Sequence, residues 1–129
     1  MIGLWTAYSQ DFLLWLAIGT TLVFALPIFC VPLLWARLMG WAIPRETHLA
    51  IYFGRCLGAF ILIVEALMLR AALTGEALLF TYQVLAAVAL LMILVHIYGA
   101  LRRIQPLSET LEIGFYSGML LVTLLCWPL

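Results

Sequence analysis

The chain has 129 residues, 67% of them hydrophobic and 9% charged, and six arginines balance six acids at a formal net charge of zero. Mean hydropathy of +1.22 leaves no polar shell for an ordinary soluble domain, and the charge balance leaves no basic face for nucleic acid. Cys30, Cys56 and Cys126 all lie in apolar runs without a C-x-x-C, which argues against a disulfide framework or a cysteine zinc site.

A helical span needs about 20 residues, and the apolar runs predict four, over about 10–35, 48–72, 77–101 and 108–127. The fold class is therefore read as all-α: one integral-membrane domain, a bundle of four transmembrane helices with both termini on one side. The amino terminus lacks a basic n-region and an A-x-A site, so the first helix is expected to be retained. In that helix Asp11 suits a first turn, Trp5 and Trp15 suit an interfacial belt, and Thr20 and Thr21 sit near the middle. Pro27 and Pro32 each remove a backbone donor, which predicts a kink in its second half.

The first loop carries Arg37, Trp41, Arg45 and Glu46, an aromatic and arginine-rich set that belongs at headgroup level. Helix 2 is apolar yet contains Arg55 and Glu65, each costing roughly 2.5 to 3.5 kcal/mol at the centre of a span. At about 100° per residue, Glu65 falls on the face of Gly54 and Gly58, a G-x-x-x-G pair that lets another helix approach closely. A tight turn at Thr74–Glu76 predicts an antiparallel hairpin with helix 3, on which Tyr82, Ala86, Ala89, Ile93 and His96 share one face. That register sets Tyr82 opposite Glu65, Ala89 opposite Gly58 and Ile93 opposite Gly54, with Tyr82 or Gln83 able to donate to Glu65.

Pro106 suits the first turn of helix 4, and Glu109 and Glu112 follow where the helix dipole favours acids. Glu109, Glu112, Tyr116, Met119 and Thr123 share one face, and Gly114 and Gly118 form a second G-x-x-x-G on another. Arg55, His96 and Glu112 come to similar depth and are predicted to form one polar cluster, with Arg55 and Glu112 paired. Arg37, Arg45, Arg102 and Arg103 gather in the first and third loops. By the positive-inside rule these loops face the cytoplasm and the topology is N-out/C-out.

No nucleophile elbow, zincin, P-loop or dinucleotide motif is present, so catalysis has no support in the sequence. No cofactor or metal is read either: haem would need two histidines at one depth, and His48 sits at the interface. Size and span count are similar to those of the small multidrug resistance transporters. That family's essential glutamate lies in the first span, however, and here the first span has only Asp11 at its mouth. Small fluoride channels are similar in length, but their glycine-rich polar filter is missing, and neither comparison assigns a family.

The short loops and glycine faces point first to an accessory or scaffold subunit in a larger membrane complex, with lipids and other membrane subunits as partners. The alternative is a homo-oligomeric small transporter or channel using Glu65 as a proton- or cation-carrying carboxylate. A lipid- or quinone-processing enzyme built on Arg55, His96 and Glu112 is a weaker third. The compact four-span form suggests a bacterial inner membrane.

Overall fold

The computed structural model describes residues 1–129, all helix and connecting segments with no strand. Helix α1 covers Thr6–Cys30, α2 Pro32–Leu38, α3 His48–Thr74, α4 Leu78–Arg102 and α5 Leu107–Leu125. Helices α1, α3 and α4, of 25, 27 and 25 residues, are long and apolar enough to cross a membrane. Helix α5, at 19 residues, does not join them on composition, because Glu109 and Glu112 in its first two turns dilute its apolar run.

Helix α1 is interrupted where the sequence places its prolines. It widens into a π-helical turn over Thr21–Ala25 and resumes as α-helix over Leu26–Cys30. Pro27 has no N–H to offer the Val23 carbonyl, and the indole Nε1 of Trp35 donates to that oxygen at 3.0 Å instead. Val31, the residue before Pro32, leaves the helical region (φ −136°, ψ 60°), as the proline ring demands. The expected kink is thus a full break, and α2 continues to Leu38. Helix α3 ends at Gly75, whose φ of +73° is the left-handed cap that glycine adopts at least cost.

The helices pack as two antiparallel pairs. In the first, Gln10 of α1 donates to the Ala72 carbonyl of α3 at 3.0 Å, and Phe29 and Pro32 lie against Gly58 and Gly54. In the second, Trp127, just beyond α5, stacks edge-on with Tyr82 of α4, and His96 lies against Glu109 and Tyr116. The expected close hairpin of α3 on α4 is not formed. Gly58 and Gly54 do receive a close neighbour, but it is the broken stretch of α1 and α2: a Cβ on Gly58 would meet the Phe29 backbone nitrogen at 2.5 Å. Chain connectivity suggested the hairpin; the proline break won because it offers a backbone narrow enough to enter the glycine groove.

The pairs meet at the end that holds the termini and the Thr74–Ala77 turn. There Leu13, Ala17, Met68, Ala71, Tyr82 and Leu85 are buried together, and Gly3 and Trp5 donate backbone hydrogen bonds to Leu124 and Leu125 at 2.9 and 2.8 Å. At the other end the first and third loops lie side by side: the hydroxyl of Ser108 donates to the Met39 carbonyl and Trp41 reaches Glu109.

Candidate functional site: a cavity between the helix pairs

Because α3 and α4 stand apart, a cavity of about 600 Å³ opens between the pairs. Its walls are aliphatic and aromatic, with Phe60, Ile61 and Val64 from α3 facing Val88, Met92 and Val95 from α4. Trp35, Trp41, Phe115 and Tyr116 close it toward the loops. Three carboxylates, Glu65, Glu109 and Glu112, reach the lining, and no arginine does.

Glu65 sits where the helical repeat of α3 turns it inward, and only 5% of it is exposed. Its neighbours are the hydroxyls of Thr20 and Thr21, at the start of the π-helical turn of α1. Thr20 donates its proton to the Leu16 carbonyl at 2.7 Å, which leaves Thr21 as the one free hydroxyl facing Glu65, and neither Glu65 Oε2 nor Thr21 Oγ1 makes a hydrogen bond within 3.5 Å. Buried polar atoms are rarely left so, because each costs about 1 to 3 kcal/mol. Tyr82 and Gln83 do not supply the missing bond. The Tyr82 hydroxyl donates to the Ser9 carbonyl at 2.8 Å and its ring packs on Phe12 and Trp127, while Gln83 is exposed on the outer face of α4.

The second polar group lies at the loop end. Glu109 and Glu112, three residues apart on α5, project from one face toward His96 of α4. His96 Nε2 is 3.0 Å from Glu109 Oε2 and 3.3 Å from Glu112 Oε2, and all three residues are at least nine-tenths buried. Nδ1 of His96 is 2.7 Å from the Met92 carbonyl, an oxygen that can only accept, so this nitrogen carries a proton. Trp41 Nε1 donates to Glu109 Oε1 at 2.8 Å, and Gln105 Nε2 donates to the His96 carbonyl and to Thr110 Oγ1. Glu112 Oε1 is buried without a partner.

The predicted cluster of Arg55, His96 and Glu112 therefore forms without Arg55. That side chain is exposed on α3 and makes no ion pair; among the six arginines only Arg70 does, with Glu76. Glu109 and Trp41 take its place; the sequence offered Glu109 as a first-turn acid on the face of Glu112, and Trp41 as a headgroup aromatic. The signal for Glu109 was its shared face with Glu112. Trp41 had none, since its partner lies 68 positions away. Gly114 and Gly118 face open space, with nothing within 4 Å of an added Cβ. All three cysteines are free thiols.

No known protein family, curated protein or solved structure matches this chain. What stands is its class, a small helical protein with several candidate membrane spans.

Proposed function

We propose that this protein is a four-span carrier whose cavity takes an apolar small molecule bearing a positive charge, with Glu65 as counter-charge. One observation carries the reading: an almost wholly buried carboxylate with an unpartnered oxygen lines a 600 Å³ apolar cavity that no arginine reaches and whose one imidazole, His96, is taken up by Glu109 and Glu112. Binding sites of this kind are largely apolar, with a few placed polar groups that fix orientation. The break in α1 supports movement. Membrane carriers place their interrupted helices at the binding site, and here the π-helical turn abuts Glu65. In this reading α5 is the fourth span, held against α4 along its length. The arginine-bearing loops are cytoplasmic, the termini lie outside, and the membrane is a bacterial inner membrane.

The test is uptake of a permanently charged aromatic ammonium dye into vesicles holding the purified protein, driven by an opposing proton gradient. Saturable uptake that is lost in Glu65→Gln, with helical content unchanged, is expected. Equal uptake by the variant would remove Glu65 from the mechanism.

A second reading, an accessory subunit, draws on Gly114 and Gly118, whose outward groove admits another helix. Under it the protein extracted gently from its membrane travels with other subunits. A particle made of this chain alone would count against it.

A further inference from the structure

We propose that His96, Glu109 and Glu112 form a binding site for one divalent first-row transition ion of the zinc class, at the loop end of the cavity. This site stands apart from the carrier reading, which rests on Glu65.

The tautomer of His96 decides what faces the two carboxylates. Since Nδ1 holds its proton against the Met92 carbonyl, a neutral His96 turns the lone pair of Nε2 toward two carboxylate oxygens, at 3.0 and 3.3 Å. Three electron-rich atoms facing one another repel unless a cation sits among them. A proton on Nε2 points well at only one of the two acceptors, and it leaves Glu112 Oε1 buried and unpartnered, as observed. A metal ion engages Nε2 and the Oε2 of both glutamates at once, and bidentate binding by Glu112 would take up its Oε1 as well.

The distances suit one. The donor atoms of the three residues lie within 4.8 Å of one another. Zinc bonds of about 2.0 to 2.2 Å in tetrahedral array put ligand atoms roughly 3.4 Å apart, so small side-chain movements complete the site. The outer shell is already in place. The Met92 carbonyl fixes the His96 ring, and Trp41 holds Glu109 by Oε1, leaving Oε2 toward the centre. Hydrogen bonds of this kind orient metal ligands and raise their basicity.

Charge and donor type narrow the ion. A neutral imidazole with two carboxylates carries two negative charges, and no arginine reaches them, so a divalent ion makes the site neutral in surroundings where net charge is costly. One nitrogen and carboxylate oxygens suit zinc, cobalt, manganese or ferrous iron; copper(I) favours sulfur, and calcium takes six to eight oxygens. Three protein ligands leave a coordination position open toward the cavity.

The experiment titrates the purified full chain, first stripped with a chelator, with Co²⁺ as a visible probe and then with Zn²⁺. One Co²⁺ per chain with d–d absorption, displaced by one equivalent of Zn²⁺, is expected. His96→Gln and Glu112→Gln should each weaken binding at least 100-fold, and Trp41→Phe about tenfold as an outer-shell partner. His48→Gln, which removes the other histidine, should leave it unchanged. Absence of Co²⁺ uptake by the wild-type chain overturns the proposal, as does binding that survives His96→Gln or is lost with His48→Gln. Should the ligand variants not fold, the wild-type stoichiometry together with the Trp41→Phe and His48→Gln responses still decides the matter.

Discussion

The two ends of this molecule are built from the same helices and are put to opposite use. At the terminal end, the two helix pairs close on each other around Leu13, Ala17, Met68 and Tyr82. The polar groups there are satisfied locally, the Tyr82 hydroxyl by the Ser9 carbonyl and the Gln10 amide by Ala72. Toward the loops the pairs separate, and the cavity between them collects three carboxylates, two of which keep an unpartnered oxygen. Within a membrane the apolar effect does not drive helices together, so packing contacts and hydrogen bonds must hold the fold. The closed end thus carries stability and leaves the open end spare to hold charge.

Substitutions can break that contrast, and the largest effects belong to the closed end and the glycine groove. Gly58→Leu drives a side chain into the Phe29 backbone, and a loss of about 3 kcal/mol or more in a refolding titration is expected, since backbone cannot step aside. Leu13→Ala, at a position with no exposure, should cost about 2 to 4 kcal/mol through the cavity it leaves. Tyr82→Phe removes the donor to Ser9 and should cost about 1 to 2 kcal/mol in the same titration. At the open end, Val88→Phe fills cavity space, so stability should change by less than about 1 kcal/mol while dye uptake falls. A Val88→Phe loss as large as that of Leu13→Ala would erase the contrast. The smallest effect is the coupling between Arg55 and Glu112: their separate losses should simply add in the double variant, because the two side chains do not meet.

The hydrophobic runs made the long helices legible in the sequence, and the arginine loops correctly sat at one end together. The glycine pair of α3 was legible as a close-approach surface, but its neighbour was not. A hairpin between consecutive helices is the simplest expectation, and it takes the proline break at Val31 to bring Phe29 and Pro32 into the groove. Glu65 was legible as a buried acid from its face. Its lack of a partner was not, because the same register assigned it Tyr82, whose hydroxyl is engaged elsewhere. Arg55 was misplaced by depth alone: two residues at one level meet only if they also face each other, and Arg55 lies on the outer side of α3. Glu112 and His96 did satisfy both conditions, and they do come together.

We propose that the open end holds a ligand site with Glu65 as its charge. It is tested most directly by equilibrium titration of the vesicle-bound protein with the aromatic ammonium dye, read by energy transfer from the tryptophans. Trp35 and Trp41 line the cavity and serve as donors. One saturable site per chain is expected, weakened at least tenfold by Glu65→Gln and again by Val88→Phe, with Tyr82→Phe as a control that keeps it. Equal binding by the wild type, Glu65→Gln and Val88→Phe would contradict the claim and leave the space between the helix pairs to lipid.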